Sequence, residues 1–169
     1  MAIIKPVRGI HPQFGNNCFL ADNATVVGEV VMGENCSVWF NAVVRGDVHS
    51  ITIGNNTNIQ DGAIIHCTYQ KAKVVIGNNV SIAHNAIVHG CTIEDNVLVG
   101  MGAIVMDHAV VQSGAIVAAG AVVLANTIVE GGYIYAGTPA KKVKEVTGDL
   151  KDIFLRTANN YIKYATWYE

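Results

Sequence analysis

Along most of this chain an apolar residue returns at every sixth position. From Leu20 the step of six reaches Val26, Met32, Val38 and Val44, and after three extra residues it resumes at Ile53, Ile59 and Ile65. Beyond the segment CTYQKAK (67–73) it continues through Ile76, Ile82 and Val88 and arrives one residue early at Ile93. It then runs Val99, Val105, Val111, Val117, Val123, Val129 and Tyr135. Two residues before each of these lies a second series, from Cys18 and Ala24 through Ala42, Ala63, Ala86 and Ala121 to Tyr133, nearly all small or β-branched. Alternation inside each hexad predicts a short strand with every second residue inward, and the six-residue return predicts a corner after each strand. Three hexads then make one triangular coil, and stacked coils make an all-β hexapeptide parallel β-helix.

The rule for parallel crossovers is right-handed. Hexads of this kind resemble the left-handed β-helix family, and that resemblance implies a left-handed coil. The pattern predicts one domain over 1–169, with the β-helix at 10–136 and an exit segment at 137–147. A C-terminal α-helix is predicted over 148–166, because Leu150, Ile153, Phe154, Thr157, Ala158, Tyr161 and Tyr164 follow a three-four spacing. Thr147 or Asp149 would cap it, and its apolar stripe would pack on an outer face of the prism.

Composition narrows the function classes. A net charge of -2 supplies no electrostatic case for nucleic acid. The opening MAIIKPVRG has too short an apolar stretch for a signal peptide, and no run approaches the ~18 apolar residues of a membrane span, so a cytoplasmic protein is expected. The four cysteines include no C-x-x-C pair. Cys18, Cys36 and Cys91 fall on the small inward series and are expected to be buried, reduced thiols; Cys67 sits beside His66 with no ligand role assigned.

Three of the six histidines lie in the stretch HCTYQKAKVVIGNNVSIAHNAIVHG, 66–90. Their spacing fits no single-helix ligand pattern. On the coil, however, His66 follows Ile65 and His89 follows Val88, which puts both on one corner column of consecutive coils, about 4.8 Å apart. His84 follows Ile82 by two residues and lies beyond a different corner, so a neighbouring chain is expected to supply it. Three chains about a threefold axis would make three equivalent sites. One coil below His66 is Arg45, and one coil below His84 is Asp61. The same displacement predicts a charge-assisted Arg45–Asp61 pair across the interface. His11, His49 and His108 are read as surface or capped histidines. Three imidazoles with no fourth protein ligand leave an open coordination position, the arrangement used when metal-bound water does the chemistry.

The motifs RGD (45–47), NIQDG (58–62), IIH ending at His66, and HNAIVHGC (84–91) resemble, in order and spacing, those of the γ-class carbonic anhydrase family. The resemblance implies reversible hydration of carbon dioxide to bicarbonate by a homotrimer with one divalent ion, zinc or alternatively iron or cobalt, at each subunit interface. It implies His66, His84 and His89 as metal ligands and Arg45, Asp47, Asn58 and Gln60 around the substrate. Arg45 and Asp61 fall at the interface, and Gln60 would orient hydroxide or substrate. A tyrosine of the C-terminal helix approaches the site in such proteins; ANNY points to Tyr161, with Tyr164 the other candidate. The chain departs from the family pattern at Val48, where a glutamate follows RGD, and in the loop CTYQKAK, which has no carboxylate. Proton transfer would then use another route, such as Tyr161 or a water chain. Three other functions share parts of this pattern. They are a coenzyme A-dependent hexapeptide acyltransferase, which shares AGTPAKKV (136–143), a metal-dependent thioesterase, and a metal-binding homologue without turnover. A catalytic base requires one histidine and leaves the other two unexplained.

Overall fold

The computed structural model describes residues 1–168. The chain winds into a parallel β-helix of about seven coils, followed by one helix. The strands are short, as at Ser81–Ile82 and Ile87–His89, and stack strictly in register. Ile59, Ile82 and Val99 form one inward column, Ile65, Val88 and Val105 a second, and Ile53, Ile76, Ile93 and Val111 a third. Every member of the six-residue series is buried except Leu20 in the outermost coil, which is half-buried. Each such aliphatic side chain removed from water stabilises the fold by about 1.5–3 kcal/mol, so the periodic series is the main source of cohesion.

The corners have their own column. Asn17, Asn35, Asn56, Asn79 and Asn96 all take left-handed backbone angles, with φ of 57°, 54°, 54°, 54° and 55°. Asparagine tolerates this region because its short polar side chain can hydrogen-bond locally. Here each side-chain amide donates to the next one up the stack at 3.1–3.2 Å, so the turn residue also binds the coils together.

The three extra residues after Val44 lengthen one strand to Val43–Ile53, which bends round a corner and joins two faces of the prism into a single sheet. Its partner Thr25–Met32 bends alongside, with a register shift between Gly28 and Val30. Gly28 has φ 77°, and a Cβ there would lie 2.4 Å from the Gly46 carbonyl oxygen. The close approach of these two backbones requires glycine.

The element boundaries differ from the periodicity at both ends. Pairing begins before residue 10, because Ile3–Lys5 lies parallel to Thr25–Val27. The exit segment contains a strand, Lys141–Glu145, antiparallel to Tyr133–Ala136, which covers the edge of the third face. The helix runs Ile153–Ala165, preceded by a 3-10 turn at Gly148–Leu150 and followed by another at Thr166–Tyr168. Neither Thr147 nor Asp149 caps it; Asp152 is the N-cap and makes no side-chain cap bond. Packing holds the helix instead. Phe154 is buried against Ile116 and Val146, Ala158 is also buried, and Tyr161 meets Trp39 edge-on at 5.3 Å. All four cysteines are free thiols. Among the described residues, no helix is long and apolar enough to cross a membrane.

Candidate metal centre

Parallel pairing sets Arg45, His66 and His89 side by side on three successive coils. The strands point these side chains outward because their neighbours Val44, Ile65 and Val88 point in. His66 Nδ1 then lies 3.2 Å from His89 Nε2, with ring centroids 5.2 Å apart.

The other nitrogen of each ring faces a carboxylate. His66 Nε2 is 3.1 Å from Asp47 Oδ1, and His89 Nδ1 is 2.5 Å from Asp107 Oδ1. A carboxylate accepts, so in each neutral ring the outer nitrogen carries the proton and the inner nitrogen is left with a lone pair. Two lone pairs facing each other across 3.2 Å repel unless a metal ion, or a proton shared as an N–H···N hydrogen bond, lies between them. Bonds of 2.0–2.1 Å from imidazole to a tetrahedral metal put neighbouring donors about 3.3–3.4 Å apart, so the observed separation fits one edge of such a site. Histidines backed by carboxylates are the usual supporting arrangement for metal ligands.

The charges around the pair follow from these contacts. Burial alone would raise the Asp47 carboxyl, but hydrogen bonds from Arg45 and His66 outweigh it and hold the group below the usual carboxylate range. Asp107 is likewise held low, with hydrogen bonds from Thr68 and His89 overcoming burial. Burial pushes His66 down, partly offset by Asp47, which favours the neutral ring a metal requires.

His84 stands apart from this pair. Its Nδ1 is 3.0 Å from Asp61 Oδ2, which leaves Nε2 with a lone pair on a side chain 42% exposed. Among the described residues, no group of three or more His, Cys, Asp or Glu side chains within the chain is arranged to hold a metal ion. His84 instead shares a cavity of about 390 Å³ with Gln60 and Tyr161, whose walls include Leu98, Met101 and Ile116. Burial, with the Asp61 charge second, pushes the Tyr161 phenol up to about 12. Tyr161, and not Tyr164, lines this cavity.

The polar residues around the pair take definite partners within the chain. Asn58, anticipated at the substrate, is 1% exposed; it donates to Ser81 Oγ at 2.9 Å and accepts from Gln60 Nε2 at 3.0 Å, so it orients Gln60. Arg45 Nη1 bonds Asp47 Oδ2 at 2.5 Å, and Asp61 is taken by His84. Arg45 and Asp47 meet because residues two apart on a strand project to the same side; the anticipated Arg45–Asp61 pair was placed between subunits and would have to form with these within-chain contacts already made. Asp107 was not anticipated. It lies on the next coil, one residue past the position that stacks on His89, and Thr68 Oγ1 on the 67–73 loop donates to its other oxygen at 2.5 Å. Of the remaining histidines, His49 Nδ1 accepts from the Ser50 amide at 2.8 Å, while His11 and His108 are exposed.

This architecture is that of a hexapeptide-repeat β-helix protein, and the family described as "Bacterial transferase hexapeptide (six repeats)" matches residues 11–46 and 90–125. The Geobacillus kaustophilus protein named "Carbonic anhydrase" is 40% identical over 99% of this chain and 91% of its own length. "Protein YrdA" of Escherichia coli is 37% identical over 98% of this chain and 94% of its own. A crystal structure of a hexapeptide transferase family protein from Anaplasma phagocytophilum, 39% identical, superposes with a TM-score of 0.94 over 99% of this chain and 98% of that one. The chain belongs to the γ-class carbonic anhydrase family.

Proposed function

We propose that the protein catalyses reversible hydration of carbon dioxide at a divalent-ion site completed between subunits of a homotrimer. The observation that carries this reading is the His66–His89 pair, whose facing lone pairs 3.2 Å apart call for a shared cation. His66 and His89 of one subunit and His84 of its neighbour would hold the ion, each in the tautomer set by Asp47, Asp107 and Asp61. Zinc, iron or cobalt suits imidazole donors. When bound, the ion lowers the pKa of coordinated water toward about 7 and so supplies the nucleophile at neutral pH. The chain's own groups do the rest. Gln60, fixed by Asn58, keeps its carbonyl and one N–H to orient the reacting oxygen. Tyr161 stays a neutral phenol and donates. Leu98 and Met101 offer an apolar wall to a substrate without charge. Arg45, held by Asp47, has donors left for the anionic product.

Stopped-flow hydration of carbon dioxide by the metal-loaded protein, with His89→Ala as control, tests this directly. The expected result is one ion per subunit, a trimer by sedimentation, and activity lost with His89. Metal-loaded trimer without turnover would refute it.

A second reading draws on the cavity beside His84. At about 390 Å³ with largely apolar walls, it is far larger than carbon dioxide needs, which favours an ester or thioester substrate hydrolysed at the same ion. Thioester turnover in the absence of carbon dioxide hydration would select it. A coenzyme A-dependent acyltransferase would bind no ion at these histidines.

A further inference from the structure

A second chemically distinct cluster lies at the N-terminal end of the inward series. Cys18 and Cys36 occupy the same inward column on the first two coils. The strands beside them pair in register, Phe19 with Ser37 and Leu20 with Val38, and the Phe19 amide donates to the Cys36 carbonyl at 2.9 Å. Stacked residues on neighbouring strands are about 4.8 Å apart, inside the Cα separation of 4.4–6.8 Å that a disulfide spans. Both residues border a cavity of about 480 Å³ between the prism and the end of the helix, whose other walls include Leu20, Ile162 and Thr166; Cys18 is partly exposed and Cys36 is buried behind it. Cys18 is half-buried and belongs to the outermost coil of its face.

From this geometry we infer that Cys18 and Cys36 form a peroxide-responsive dithiol, oxidised to an intramolecular disulfide that links the first two coils.

The chemistry assigns different tasks to the two sulfurs. The two thiols interact so that Cys18, the more exposed, is lowered with burial opposing, while Cys18 and burial raise Cys36. Cys18 is therefore the sulfur of the pair that gives up its proton first, and the thiolate is the nucleophile. Its sulfur attacks one oxygen of a hydroperoxide; the S–O bond forms as the O–O bond breaks, and the departing oxygen takes up a proton as water or alcohol. The Cys36 sulfur then attacks the sulfenic sulfur, the S–S bond forms, the S–O bond breaks, and water leaves with the Cys36 proton. Two thiols lose one electron each, and the peroxide gains two. The remaining cysteines are unsuited to this. Burial pushes Cys67 up to about 11 and Cys91 up to about 12, so neither supplies a thiolate near neutral pH.

The test is treatment of the full chain with hydrogen peroxide, alkylation of free thiols, and peptide mass mapping. Cleavage after Glu29 and Glu34 separates the two cysteines. The expected result is a Cys18–Cys36 linked peptide lighter by two hydrogens, reversed by reductant, with Cys67 and Cys91 still free in the native protein. Cys36→Ser should leave Cys18 as a sulfenic acid that a dione probe captures, and Cys18→Ser should abolish labelling of the pair. Loss of either variant to misfolding does not remove the test, since the linked peptide is read in the unaltered chain. Absence of that peptide after peroxide, or linkage only between separate chains, would overturn the inference.

Discussion

Asp107 accepts a hydrogen bond from His89 Nδ1 and thereby leaves the His89 Nε2 lone pair aimed at His66. Its second oxygen takes the Thr68 hydroxyl, so the same carboxylate ties the 67–73 loop to the coil above. Removing such an outer partner of a metal-ligating histidine typically weakens metal affinity 10–100-fold. Asp107→Ala is expected to lose affinity in that range while the prism stays folded, measured by competition with a chromophoric chelator. Unchanged affinity would show that Asp107 serves the loop alone.

His84 should separate metal binding from folding. Its side chain is partly exposed, and the inward columns beneath it contain only neighbours that the substitution leaves untouched. His84→Ala is expected to abolish stoichiometric metal binding, read by elemental analysis of the dialysed protein. Its metal-free circular dichroism and thermal midpoint should match those of the parent chain. Loss of the β spectrum would mean that the ion carries part of the fold.

Ile82 lies fully buried between Ile59 and Val99 in one inward column. The coils above and below restrict collapse into the space its truncation leaves. Ile82→Ala should therefore destabilise the protein by about 2–5 kcal/mol, the usual span for such a deletion, as measured by urea unfolding. A change near zero would show that the coil relaxes around the gap.

Tyr161 provides a pH signature. Its phenol is raised to about 12 by burial, while an unfolded tyrosine ionises near 10. The unfolded chain therefore releases this proton first as pH rises. The Tyr161 contribution to stability is fully present below about pH 10 and is lost as pH climbs through about 12. Stability of Tyr161→Phe should fall less steeply over that window, and phenolate absorbance should lack one late-titrating group. An identical slope in the two proteins would place the phenol in water.

The inward columns were legible directly. Alternation along each strand fixes which residues face in whatever the neighbouring coils do, so Ile59, Ile82 and Val99 could be assigned from spacing alone. The His66–His89 pairing followed from the same arithmetic, since both residues immediately follow inward positions. The stack of Asn35, Asn56 and Asn79 was not read from the sequence, because its meaning requires the left-handed corner angles. Other features depend on reach and surroundings that spacing does not encode. Asp47 turns to Arg45 and His66, Asp61 to His84, and Asn58 inward to Ser81, because each short polar side chain takes the partner nearest to it once the coils have stacked. The helix begins at Ile153, later than its apolar pattern suggested, because packing of Phe154 on Ile116 and Val146 anchors it in place of a cap. Periodicity is a property of the backbone and survives without neighbours; the partner of a carboxylate is chosen only when the chain has brought the competitors within hydrogen-bonding distance.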